Sequence, residues 1–223
     1  AAVERIYAVK QRPTDNPSIV HIGHNADLLD IAEVEDHRVV ALFQRFWPGA
    51  LTMVLPAKEP YRTTVGRGRD TIAVRMPGHP LALALLHAVG VPLAAPSANR
   101  SGRPSPTTAQ HVLDDLGDAI PLILDGGPCM VGIESTVVDL TSTVTTILRP
   151  GVITAAALSE VLGQPVVLAE DASGRSPGTR HPHYQPAARV ELLPRGISTE
   201  ALHRRLQDLA SAGQALGAIV TSE

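Results

Sequence analysis

The sequence predicts an α/β fold, and three observations lead there. Across 223 residues, 44% of them hydrophobic, the chain is long enough to bury a sizeable core and a smaller second one. Aromatics make up only 3%, so that core must be built from Ala, Val, Leu and Ile. Short strand-like apolar runs alternate with segments whose apolar residues recur at helical spacing.

In chain order, residues 1–9 place Val3, Ile6 and Tyr7 at helical spacing, so the chain opens already inside a helix, and a segment ahead of Ala1 is expected. Residues 11–17 are a polar loop punctuated by Pro13 and Pro17, and residues 18–22 read as a short buried strand. Asn25 is placed to cap a helix through Ala32, and Asp36 another to about Phe46, which Pro48-Gly49 stops. Residues 51–55 and 71–76 are strand-like, separated by a loop carrying Arg62, Arg67 and Arg69. Residues 80–89 read as a buried helix, 91–95 as a strand, and Pro96-Ser97-Ala98-Asn99 as a turn of small residues.

Thr107 with Gln110 offers a capping box for a helix ending near Gly117. Residues 121–125, 136–140 and 145–148 read as strands, the last two forming a hairpin around Thr141-Ser142, and a helix over 154–162 follows. Composition then shifts to Asp, Ser, Gly, Arg, His and Pro. Domain boundaries are therefore expected at 1–168 for a catalytic-sized α/β domain, 169–188 for a linker, and 189–223 for part of a second α/β domain with a strand at 189–193, a helix at 198–210 and a strand at 216–221.

A formal charge of −3 supplies no global attraction to a phosphate backbone, so nucleic-acid binding does not follow from charge. The apolar stretch 80–96 is interrupted by Gly90 and Pro92 and is too short to span a bilayer. Cys129 has no second cysteine to pair with, which suits a reducing cytoplasm.

Five groups of residues could carry chemistry. Lys10 and Arg12, one residue apart at a helix end, can converge on phosphate oxygens, although a solvated helix terminus explains them equally well. Arg75 ends an apolar strand, where a guanidinium can clamp a carboxylate through two parallel hydrogen bonds. Residues 94–105 combine small residues with the hydroxyls of Ser97 and Ser105, able to cradle an anion, yet no Walker loop follows. Ser135 begins one hairpin strand and Arg149 ends its partner, so pairing brings them to one end of the sheet; Glu134 beside them reads as solvated. Residues 176–186 hold His181, His183 and Tyr184, unlike an inert tether, but no acidic or sulfur ligand stands at zinc spacing. No Ser-His-Asp arrangement can be read from sequence order, and Cys129 has no activating partner in view.

Taken together, the strings Lys-x-Arg-Pro-x-x-Asn-Pro, Ala-Val-Arg-x-Pro, Pro-Ser-Ala-Asn-x-Ser-Gly, Glu-Ser-Thr-Val, Arg-Pro-Gly and Ser-Pro-Gly-x-x-x-x-His-Tyr-x-Pro closely resemble the YrdC-like domain of the threonylcarbamoyl-AMP synthase family, in its two-domain form. The resemblance implies a twisted mixed sheet with flanking helices, followed by the start of a small Rossmann-like domain. It implies a nucleotidyltransferase that joins L-threonine, bicarbonate or CO2, and ATP with Mg2+, giving threonylcarbamoyl-AMP and pyrophosphate for tRNA modification in the cytoplasm, in concert with tRNA threonylcarbamoyl transfer proteins. Carried over by motif, Arg12, Asn16, Thr71, Ser97, Ser105, Arg149 and Tyr184 hold ATP; His21, Arg75, Ser135 and the Ala95 backbone hold threonine; Lys10 lines the phosphate site. No side chain is assigned as a covalent catalyst or metal ligand. The family's Pro-Thr-x-Thr-x-Tyr-Gly strand is not found in the sequence, and Gln11 stands where a Gly is common. Two other functions fit the same domain: a carbamoyltransferase making carbamoyl-AMP, and a non-catalytic RNA-binding module.

Overall fold

In the computed structural model, the described residues are 2–13, 16–169, 189–194, 196–213, 215 and 217. The chain forms two compact units, Ala1–Gln185 and Pro186–Glu223.

In the first unit, helices α1 (Ala2–Lys10), α2 (Leu28–Ile31), α3 (His37–Phe46), α4 (Tyr61–Thr64), α5 (Pro80–Val89), α6 (Ala109–Leu116) and α7 (Ala155–Leu162) surround a seven-stranded mixed sheet. Its strands are β1 (Ile19–His21), β2 (Leu51–Pro56), β3 (Thr71–Arg75), β4 (Leu93–Ala95), β5 (Thr136–Asp139), β6 (Thr146–Arg149) and β7 (Val167–Leu168), in spatial order β4-β1-β3-β2-β5-β6-β7. Pairs β1–β3, β2–β5 and β6–β7 are parallel; β1–β4, β2–β3 and β5–β6 are antiparallel. The last strand, β7, carries no sequence signal beyond Val-Val-Leu.

Alternation along the strands divides the sheet into two faces. Val20, Leu51, Met53, Leu55, Ile72, Val74, Val138 and Ile147 form the main core with Leu28 and Ile31 of α2, Val39 and Leu42 of α3, and Leu158 of α7. Each such fully buried side chain contributes roughly 1.5–3 kcal/mol of transfer free energy. The opposite face carries a smaller apolar cluster, Ile19, Val54, Ala73, Val137 and Leu148, and the polar residues of the candidate site.

Caps fall close to their expected places. Asp36 accepts from Arg38 N at 2.8 Å, whereas α6 is capped by Thr108 rather than Thr107, and the turn at Asn25 is entered through His24, whose N–H donates to Asp27. The buried α3 residue Arg38 also donates to the carbonyls of Leu140, Ser142 and Thr143, bracing the β5–β6 turn.

Four expectations need correction. The stretch between β2 and β3 is not all loop, since Tyr61–Thr64 forms the short helix α4 with Arg62 inside it. Helix α5 is largely exposed, with only Leu86 buried and Leu81, Leu85 and Val89 facing outward. Residues 121–125 are irregular, because a strand requires a partner to receive its hydrogen bonds and none of the described strands lies against them. In the second unit, residues 189–194 are likewise irregular, and the one described helix is α8 (Thr199–Ser211), capped by Ser198 and tied by Arg205 to Glu191 at 2.8 and 3.0 Å. Most of 216–221 lies outside the described residues. Among the described residues no helix is long and apolar enough to cross a membrane.

Candidate functional site

The first cluster is built by the end of α1. Arg12 N donates to Tyr7 O at 2.9 Å and Gln11 N to Ala8 O at 3.2 Å, the bond pair of a Schellman turn, and Gln11 takes the left-handed conformation it requires (φ 52°). That reversal brings Arg12 back over the Tyr7 ring, 5.9 Å from its centroid. Buried there, Arg12 donates to Asn16 O at 3.0 Å, to Asn16 Oδ1 at 2.9 Å and to Pro17 O at 2.8 Å, while Tyr7 Oη donates to Asn16 O at 2.6 Å. A solvated helix terminus is therefore the wrong reading of these cations.

Lys10 is also buried, its Nζ donating to the carbonyls of Ser97 and Asn99, while its own carbonyl accepts from Ser101 N at 2.9 Å. Asn99 in turn donates to Arg103 O at 2.7 Å, so the small-residue turn is braced along its length. Burial, reinforced by neighbouring Arg12, pushes Lys10 down to about 8. Desolvation also lowers the pKa of Arg12.

The second cluster lies on the polar face of the sheet. His21 and Arg75 are Cα partners across β1 and β3, and Thr52 on β2 is the next residue on that face. Arg75 Nε donates to Gly49 O at 2.8 Å, which fixes the guanidinium plane; its two terminal nitrogens have no hydrogen-bond partner among the described residues. His21 Nδ1 lies 3.3 Å from Ile19 O. A carbonyl accepts only, so Nδ1 carries the proton and Nε2 is left as an acceptor in the neutral ring. Desolvation first, and then Arg75, lower His21 to about 4, so the ring is neutral at physiological pH. Arg75 is itself lowered by burial and by nearby Arg149.

Ser135, just ahead of β5, shares a 2.7 Å hydrogen bond with Thr52 Oγ1, and Arg149 donates to Ser135 O and to its Oγ at 3.0 Å. Strict alternation would turn Arg149 toward the helices. A bulge prevents this: Val138 pairs with Ile147 but Val137 with Arg149, and the extra residue returns Arg149 to the polar face.

A contact among the described residues joins the two clusters. Ser105, at the end of the braced turn, donates to Glu134 Oε1 at 2.6 Å, and Glu134 immediately precedes Ser135. Glu134 is thus half-buried and engaged, not solvated. Gly151 explains its own presence here, since a Cβ would sit 2.5 Å from Thr136 N and 2.7 Å from Glu134 O. Thr71 shares the polar face with Arg75, four residues or about 13 Å along β3, whereas Ala95 is the partner of Ile19, which is level with Ala73 and so only two residues from the level of Arg75. Tyr184, with His181 and His183, lies outside the described residues. Sequence reasoning passed over Tyr7, Gly49 and Thr52; nothing in their type marks them, because their roles come from strand register and turn geometry.

The arrangement places the buried cations Lys10 and Arg12 beneath the turn that carries Ser97 and Ser105, and sets the Arg75 guanidinium beside a neutral imidazole on the polar face of the sheet. Among the described residues no group of three or more His, Cys, Asp or Glu side chains is placed to hold a metal. A cleft of about 480 Å3 between α6 and residues 123–128 contains none of these groups.

Comparison with known proteins gives a consistent result. Residues 1–151 match the Sua5, YciO and YrdC family model, described as telomere recombination. The chain is 42% identical to the threonylcarbamoyl-AMP synthase of Bacillus subtilis over all of its own length and 65% of that protein, and 40% identical to that of Pyrococcus abyssi over 98% of its length and 66% of that protein. The crystal structure of P. abyssi Sua5 complexed with L-threonine superposes with a TM-score of 0.88 at 39% identity, covering 95% of this chain and 64% of that one. The chain thus spans just under two thirds of the length of these proteins.

Proposed function

The chain belongs to the threonylcarbamoyl-AMP synthase (Sua5/YrdC) family, and from that premise we propose that it condenses L-threonine, bicarbonate or CO2, and ATP into threonylcarbamoyl-AMP and pyrophosphate, the activated group for threonylcarbamoyladenosine formation in tRNA. The observation that carries this is Arg75: a guanidinium locked by Gly49, its terminal nitrogens unengaged by described residues, beside the neutral ring of His21. A planar fork takes a carboxylate bidentately, and the bare Nε2 of His21 accepts from an amino acid's hydroxyl or N–H.

In this reading threonine lies along His21, Arg75, Ser135 and the Ala95 backbone. ATP lies along Arg12, Asn16, Thr71, Ser97, Ser105 and Arg149, with Lys10 holding the turn; Tyr184 is assigned to the nucleotide by motif alone. Threonine's amine adds CO2 and loses a proton to give a carbamate; a carbamate oxygen attacks the α-phosphorus, and the bond to the bridging oxygen of the leaving pyrophosphate breaks. Catalysis is positioning and charge stabilisation, with no covalent protein intermediate. Mg2+ enters with ATP as part of that substrate. Rejection of amino acids lacking a hydroxyl follows from the buried partners they leave unpaired. We assign the second unit to the opening of a smaller Rossmann-like domain, the product to tRNA threonylcarbamoyl transfer proteins, and the site of action to the cytoplasm.

The test is pyrophosphate release from ATP and bicarbonate with and without threonine. Release that requires threonine supports the proposal; release indifferent to threonine, or supported by carbamoyl phosphate in place of threonine and bicarbonate, favours the carbamoyltransferase. Salt-dependent RNA binding without nucleotide affinity favours the binding module, against which the charge of −3 and the scarcity of aromatic stacking surfaces weigh.

A further inference from the structure

The bond between Ser105 and Glu134 has a direction. An ionised carboxylate only accepts, so the single proton of the Ser105 hydroxyl, 2.6 Å from Glu134 Oε1, is committed to it, and Ser105 turns lone pairs to its remaining surroundings. A hydroxyl in that state cannot donate to a phosphate oxygen. The direction is held firmly: Ser105 ends a turn pinned by Lys10 and Asn99, and the backbone of Glu134 is packed against Gly151 with no room for a methyl group.

We propose that Glu134 is a positioning residue that fixes the polarity of Ser105, and that the pair receives a hydrogen-bond donor on the nucleoside end of ATP, a ribose hydroxyl or the adenine amino group. The triphosphate is then directed to the cationic groups, which orients the nucleotide within the cleft. This deepens the nucleotide-binding reading above and rests on it.

The experiment measures binding of ATP, adenosine and inorganic tripolyphosphate to the wild-type chain, Ser105→Ala and Glu134→Gln, each in EDTA and in Mg2+. Loss of one neutral hydrogen bond corresponds to about 2–13-fold. ATP and adenosine are expected to weaken by that same factor in both variants, with tripolyphosphate unchanged within twofold, or tighter in Glu134→Gln where a negative charge is removed. Equal weakening of tripolyphosphate, an effect seen only with Mg2+, or no effect in either variant overturns the inference. Threonine binding retained within twofold shows that each variant is folded. On the wild-type chain, 2′-deoxy-ATP, 3′-deoxy-ATP and inosine triphosphate each lack one donor. One of them should bind about 2–13-fold more weakly than ATP, a difference that vanishes in Ser105→Ala; if all three match ATP, the inference fails without recourse to a variant. A wild-type chain that binds no ATP at all rejects the functional reading itself, which is a separate outcome.

Discussion

Arg149 donates to the carbonyl oxygen of Ser135 through both Nε and Nη2, at 3.1 and 2.9 Å, and Nη2 also reaches its hydroxyl at 3.0 Å. One guanidinium therefore fixes the strand end from which the hydroxyl projects, while Arg75 stands close enough for the two cations to repel. The division of labour between them can be measured. Arg149→Ala should weaken ATP by 10-fold or more with a much smaller effect on threonine, and Arg75→Ala should do the reverse, each reflecting about 1.5–3 kcal/mol for a charged hydrogen bond. Arg75→Lys should not restore threonine affinity, because an ammonium lacks the fork. Isothermal titration with each ligand separately decides; equal losses for both ligands in both variants remove the assignment.

His21 supplies a pH dependence with a definite sign. Its folded value near 4 lies below the ordinary 6.5, so between these pH values the unfolded chain binds a proton that the folded chain refuses. Stability should be unaffected by this group above pH 6.5, fall as pH drops toward 4, and level off below. The full loss is roughly 3 kcal/mol. Denaturant midpoints at pH 7 and pH 5 for the wild type and His21→Leu measure it, the variant showing the smaller difference.

Lys10 titrates at the other end of the scale. With a folded value near 8 against 10.5 unfolded, it loses its charge early, so folding stability from this group rises as pH climbs from 8 to 10.5. ATP affinity should move oppositely, falling above pH 8 as the positive charge beside Arg12 disappears. Lys10→Arg, which does not titrate there, should flatten that alkaline decline; a decline unchanged in the variant assigns it to another group.

Gln11 occupies a left-handed position at φ 52°, where a side chain costs about 1–2 kcal/mol and glycine little. Gln11→Gly should raise stability by about 0.5–1 kcal/mol, seen as a higher thermal midpoint. No change would mean that the glycine's greater unfolded-state entropy cancels the relief.

Six of the sheet's seven strands, β7 being the exception, and the helices with Asp or Thr caps are legible in the sequence because each rests on local alternation or a local hydrogen bond. So is the meeting of Ser135 with Arg149, which follows from their places at the two ends of a hairpin. What escapes is decided by partners far along the chain. Residues 121–125 have strand composition but no described neighbour to pair with, and α5 has apolar composition but a partner for little more than Leu86. The bulge that turns Arg149 inward is a register event, invisible until β5 and β6 are laid side by side. Lys10 and Arg12 look like surface cations because the Schellman turn folds Arg12 under and the distant turn carrying Ser97 and Asn99 covers Lys10.

The bulged, mixed-parity sheet also governs how the molecule can fail. His21, Thr52, Arg75 and Arg149 come from four different strands and Ser135 from the residue just ahead of a fifth, adjacent in space but separated by up to 128 positions of sequence. A fragment holding one or two strands should therefore lack the assembled surface, and a partly melted form should not keep a weakened one. Turnover should disappear in a single step with the last of the sheet's order, making catalysis itself a gauge of global integrity.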